Sequence, residues 1–217
     1  MSAQRLICFG DSITHGKSEP EGFRWTAQLA RELERRFPGR FEVYNRGVGG
    51  NTSAQAIERF GADVAPHLPG IVLIEFGFND ASVPPGVATN RVGLPEFQRN
   101  LREIVRLVRA GGGRPVLLVN HPIPRLRGPG TQGNGKDYAI NFRPYQPAIR
   151  DVAAKTKAPV IDLESAMRRA RVPLPDLLGA DNLHLSRSGQ TIYGRHVLDG
   201  LLRLGLLPAP KPASARP

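Results

Sequence analysis

The stretch Leu6-Ile7-Cys8-Phe9, running directly into Gly10-Asp11-Ser12, decides how the rest of the chain is read. Four consecutive apolar residues without alternation suit a strand covered on both faces, whereas a half-solvated strand alternates apolar with polar. Working outward, short apolar runs recur at Phe41-Glu42-Val43-Tyr44, Ile71 to Phe76, Val116 to Val119 and Val160 to Leu163. Longer stretches with helical spacing separate them. Trp25, Leu29 and Leu33 recur every four residues within 23–37, which Pro38-Gly39 closes. Ala56, Ile57 and Phe60 mark a helix over 52–64. Phe97, Leu101, Ile104, Val105 and Val108 mark another over 95–110, and Ile192, Val197 and Leu201 a last one over 188–204. Strands alternating with helices predict an α/β fold, a five-stranded parallel sheet with helices on both faces.

The 217 residues are expected to form one domain over 1–207, followed by a disordered proline-rich tail over 208–217. Two segments break the rhythm, 81–93 and 122–147, and both read as loops. A hydrophobic fraction of 40% with 23% charged residues excludes wholesale disorder. The single cysteine, Cys8, excludes an intramolecular disulfide framework and a multi-cysteine zinc site, and reads as an inert thiol inside the first strand. No apolar run approaches the ~18 residues of a membrane span. The apolar stretch ending at Gly10 is too short for a signal-peptide core, so the chain is expected in the cytoplasm. The net charge of +11 raises the question of nucleic acid. With aromatics at 6% and arginines spread along helical patterns, as at Arg99, Arg102, Arg106 and Arg109, the expectation is a solvated basic surface and no nucleic-acid partner.

In a parallel α/β sheet, ligands bind beyond the carboxyl ends of the strands. The residues there are Gly10-Asp11-Ser12, Asn45 to Thr52, Gly77-Phe78-Asn79-Asp80 and Asn120-His121, with Asp181-Asn182-Leu183-His184 before the last helix. A serine hydroxyl is a poor nucleophile unless a base removes its proton, and Ser12 taken alone fits a helix cap or turn serine better than a nucleophile. His184 supplies a candidate base, and Asp181, three residues earlier, a carboxylate to orient its imidazole. The alternatives for that pair are a loop cap or half a metal site, but the other histidines have no ligand spacing, so no metal is expected. Gly49-Gly50 at the head of a helix offers backbone N–H groups to a developing oxyanion. Asn79 adds a side-chain amide, or else only caps a turn. His15 and His121 are candidates for touching substrate. So are Tyr138 and Arg143 of the 122–147 segment, which also carries Arg125, Arg127, Lys136 and Phe142. His67 and His196 read as surface or helix residues.

Taken together, Gly10-Asp-Ser-Ile-Thr14, Gly47-Val-Gly-Gly50-Asn-Thr52, Gly77-Phe-Asn79-Asp80 and Asp181-Asn-Leu-His184 resemble, in order, the four blocks of the GDSL or SGNH hydrolases. The resemblance implies a three-layer α/β/α sandwich related to flavodoxin-like folds, and ester or thioester hydrolysis without a cofactor. It implies Ser12 as nucleophile and His184 as base, oriented by Asp181. The oxyanion donors would be the Ser12 N–H, Gly50 and Asn79. Ile13 stands where the family name has leucine, and Thr14 excludes the Gly-x-Ser-x-Gly elbow of the α/β-hydrolases. The expected substrate is a small ester with a short acyl group, such as an O-acetylated carbohydrate. A thioesterase or lysophospholipase on the same site is the alternative. A non-catalytic basic protein that binds nucleic acid is the alternative of another class.

Overall fold

The apolar runs become the strands β1 (Gln4–Gly10), β2 (Phe41–Gly47), β3 (Ile71–Glu75), β4 (Arg114–Val119) and β5 (Val160–Asp162) of one sheet. The computed structural model describes residues 3–125 and 132–208. All pairs are parallel, in the order β2-β1-β3-β4-β5. Leu6, Ile7, Cys8 and Phe9 have no solvent exposure, as an inner strand covered on both faces requires. Burial also pushes the Cys8 thiol far above its ordinary range, so it stays protonated and inert.

The helices are α1 (Ser12–His15), α2 (Trp25–Arg36), α3 (Ser53–Asp63), α4 (Phe78–Ala81), α5 (Leu94–Ala110), α6 (Tyr138–Phe142), α7 (Tyr145–Thr156), α8 (Leu163–Arg169), α9 (Leu174–Leu177) and α10 (Arg187–Arg203). On one face α5 packs between α3 and α7; on the other α10 packs against α2 and α8. This is the expected α/β/α sandwich. Each long helix buries the stripe its spacing foretold, for example Phe97, Leu101, Ile104, Val105 and Val108 on α5. Helix α3 begins with a reciprocal capping box between Thr52 and Gln55.

Two expectations are corrected. The 122–147 segment is not a continuous loop, because α6 and the first turn of α7 lie within it. Pro144 stands at the N-cap position of α7 and Pro147 in its first turn, where no intrahelical N–H is required, so the prolines that suggested a loop are compatible with a helix start. The fifth strand stops at Asp162 rather than Leu163, because the Asp162 carboxylate accepts the Ser165 N–H at 2.9 Å and caps α8. Arg127 and tail residues 209–217 lie outside the described residues. Among the described residues, no helix is long and apolar enough to cross a membrane. Several arginines pair along their own helices, Arg35 and Arg36 with Glu32, Arg106 with Glu103 and Arg168 with Glu164, which disperses the basic surface.

This strand order fixes the place of the site. From β1 the chain moves outward to β2, then crosses back over β1 to β3. The resulting crevice opens at the carboxyl ends of β1 and β3, where Ser12 and Asn79 follow.

Candidate active site

Ser12 opens α1 immediately beyond β1. The Asp11 carboxylate caps that turn, accepting the Ile13 N–H at 2.9 Å, and the first-turn N–H of Ser12 has no intrahelical acceptor. Gly10 is obligatory here, since a Cβ would run into the Thr14 hydroxyl and the Glu75 carbonyl. Arg59, on α3, braces the surroundings. Its guanidinium donates to the carbonyls of Gly10 (2.8 Å) and Arg46 (3.0 Å) and to Asn51 Oδ1 (2.7 Å). It also pairs with Asp63 and lies over the Phe9 ring. One side chain thus ties the ends of β1 and β2 to the Gly49-Gly50 loop.

Gly50 adopts φ +78°, a left-handed conformation that favours glycine. A Cβ on Gly49 would stand 4.0 Å from Ser12 Cβ, so this backbone passes directly beside the serine. Asn79, in the first turn of α4, donates through Nδ2 to Asp11 Oδ2 at 3.1 Å. An amide nitrogen carries two hydrogens, which leaves the second available to a ligand.

The Asp181–His184 loop completes the arrangement from the far end of the chain. Ser12 Oγ lies 2.8 Å from His184 Nε2, and His184 Nδ1 lies 2.6 Å from Asp181 Oδ2. Asp181 Oδ1 accepts the backbone N–H groups of Leu183 (3.0 Å) and His184 (2.9 Å). Burial pushes the Asp181 carboxyl up, but the His184 bond and these two N–H groups outweigh it, leaving it below its ordinary range. Serine hydroxyl, imidazole and carboxylate therefore form one hydrogen-bonded line, able to move a proton from Ser12 to His184.

The proposed substrate contacts fare differently. His121 is fully buried, packed on Phe78, and donates from Nε2 to the Leu183 carbonyl at 2.9 Å. That bond ties it to the loop that carries His184. Burial pushes His121 down to about 4, which keeps it neutral. The Tyr138 hydroxyl donates to the Phe78 carbonyl at 2.6 Å and so holds the turn that presents Asn79. His15 lines a separate groove with Arg24, Arg31 and Asn45, and Arg143 is exposed at the end of α6. Among the described residues, no group of three or more His, Cys, Asp or Glu could hold a metal.

Arg59 and Glu75 were not singled out as site residues from the sequence, and Asn120 was named only by its place at a strand end. For Glu75 the signal was present, an acidic residue inside an otherwise apolar inner strand. Burial raises Glu75 to about 7, and raises Asp80 to about 6 even though Ser53 donates to it twice. Unfolded carboxyls ionise near 4, so the folded chain binds more protons between that pH and these raised values. The associated stability is complete below about pH 4 and lost as pH rises through 6 to 7. The expected result is a thermal midpoint that falls by several degrees between pH 5 and 8, a slope that Glu75→Gln reduces. Calorimetry of both proteins across that range checks it; equal slopes would remove Glu75 from the account.

Residues 8–192 match the GDSL-like lipase/acylhydrolase family. The chain is 28% identical over 180 residues to a Bacillus subtilis protein named uncharacterized lipoprotein YqeF, covering 72% of this chain and 69% of that one. It is 26% identical over 212 residues to an acetylxylan esterase of Geobacillus stearothermophilus, covering 91% and 93%. Among solved structures, a lipase/acylhydrolase from Enterococcus faecalis superposes with a TM-score of 0.76 at 25% identity, covering 97% of this chain and all of that one.

Proposed function

The chain belongs to the GDSL-like lipase/acylhydrolase family and is a carboxylic ester hydrolase, and from that premise we propose that Ser12 is its nucleophile. Ser12 Oγ attacks the acyl carbon while His184 Nε2 takes its proton, and Asp181 stabilises the imidazolium. The carbonyl oxygen, now carrying the negative charge, faces the N–H groups of Ser12 and Gly50 and the free N–H of Asn79. Collapse expels the alcohol, which receives its proton from His184. Water, deprotonated by the same imidazole, then cleaves the acyl-enzyme and restores Ser12. The single observation that carries this reading is the continuous line Ser12–His184–Asp181, with links of 2.8 and 2.6 Å.

The proposed substrate is a short acyl ester, such as O-acetylated carbohydrate. Arg91, which donates to the Gly50 carbonyl at 2.9 Å, also lines a cleft of about 590 Å³ with Thr89, Asn90, Asn134, Lys136 and Asn141. These polar groups beside a proposed oxyanion donor offer hydrogen-bond partners to a hydroxyl-rich leaving group, while Leu94, Ile140 and Tyr145 supply the apolar part of the wall. The acetylxylan esterase relative supports the same choice. The proposal takes residues 1–207 as one catalytic domain acting in the cytoplasm, although the Bacillus subtilis relative is named a lipoprotein.

A fluorophosphonate is expected to modify the folded protein once, on the peptide containing Gly10-Asp11-Ser12. Peptide mass spectrometry locates the adduct. Modification of another serine with Ser12 untouched would sink the assignment.

A further inference from the structure

Asp11 and Glu75 are both fully buried behind Ser12, at the paired ends of β1 and β3. Glu75 accepts from the Asn120 amide at Oε1 (2.5 Å) and from the Thr14 hydroxyl at Oε2 (3.0 Å). Asp11 accepts the Ile13 N–H at Oδ1 (2.9 Å) and the Asn79 amide at Oδ2 (3.1 Å). Among the described residues, neither carboxyl is in an ion pair. Neighbouring buried carboxylates without a counter-ion cannot both remain ionised, so one proton stays with the pair. We propose that Asp11 and Glu75 share that proton and act together as a positioning unit, fixing the Asn79 amide so that its second N–H meets the oxyanion.

The inference rests on Asn79 being an oxyanion donor. Burial first, and then the charge of Glu75, hold Asp11 well above the carboxylate range, as two buried carboxyls at paired strand ends require. The Asn120–Glu75 and Asn79–Asp11 hydrogen bonds thus flank the two carboxyls, the first from the end of β4 and the second at the reacting centre. An acceptor-only contact is what Asn79 needs from Asp11. A carboxamide at position 11 cannot accept from both Ile13 N–H and Asn79, because one of its two polar atoms has become a donor.

Two comparisons test the proposal, using kcat and KM on p-nitrophenyl acetate. In the first, Asp11→Asn is expected to lower kcat by roughly 10- to 100-fold with KM little changed, as for loss of part of an oxyanion donor. In an Asn79→Ala background the same change should cost no more than about twofold, because Asp11 acts through Asn79. An undiminished loss in that background, or wild-type kcat for Asp11→Asn alone, overturns the proposal. The second comparison holds even if Asp11→Asn does not fold. Glu75→Leu removes the proton-sharing partner and should lower kcat by about tenfold or more, and Glu75→Gln, whose amide can donate to the Asp11 carboxylate, should recover most of that loss. Equal activity of the two variants, whether high or low, overturns it. If Asn79→Ala alone leaves kcat intact, it is instead the oxyanion reading of Asn79 that fails.

Discussion

Ser12→Ala is expected to lower kcat on p-nitrophenyl acetate by roughly 10⁴- to 10⁶-fold, the scale on which removing a serine nucleophile acts. The protein should remain folded, because the hydroxyl's bond is to His184 and the cap of α1 comes from Asp11. The loss should not add to others: in the Ser12→Ala background, Asp181→Asn should cost little more, since the carboxylate works only through the imidazole that serves Ser12. Steady-state kinetics beside a thermal melt decide the matter. A well-folded Ser12→Ala protein within tenfold of wild type would place the nucleophile elsewhere.

Asn79→Ala follows, with an expected fall in kcat of roughly 10²- to 10³-fold, or about 3–4 kcal/mol, and little change in KM. The amide interaction strengthens only as charge develops on the carbonyl oxygen, which is why the effect belongs to kcat. Some stability also goes with it, about 1 kcal/mol, since Asp11 Oδ2 loses its 3.1 Å donor in a buried place. Both quantities measured on one preparation separate the roles. A destabilised but fully active variant makes Asn79 scaffold and leaves the Ser12 and Gly50 N–H groups as the only donors.

The sheet was legible because its inner strands are apolar without interruption; Leu6 to Phe9 and Val116 to Val119 admit little else. Helices α2, α3, α5 and α10 were legible from spacing, to within one or two residues at most ends. Helix α7 was not, since its buried face rests on Ala148, Ile149, Val152 and Ala153, a stripe half built of alanine, and two prolines stand at its start. The short α8 was hidden by Asp162, which ends a strand and caps a helix with one side chain. In the candidate site, the placement of Ser12, Gly50, Asn79, Asp181 and His184 was legible because each follows a strand or precedes α10 within a recognisable block. What surrounds them depends on three-dimensional neighbours. Nothing local distinguishes Arg59 from the other arginines of the helices, although its guanidinium reaches carbonyls 13 and 49 residues away. His121 was placed at the correct strand end, but burial turned its imidazole inward to the Leu183 carbonyl.

Ser12 and His184 are separated by 172 positions, and on the proposed roles that distance has a bearing on protein synthesis. A ribosome makes β1 and Ser12 well before it makes the base loop and α10. A growing chain therefore carries an unactivated serine over the 172 positions that precede its base, unable to cleave esters around it. A stop falling after position 79 and before position 184 yields a fragment with the nucleophile and the other proposed oxyanion donors, Gly50 and Asn79, yet without His184 to start the reaction. On the proposed roles, hydrolytic activity waits until the His184 loop has been made and has folded back onto Ser12.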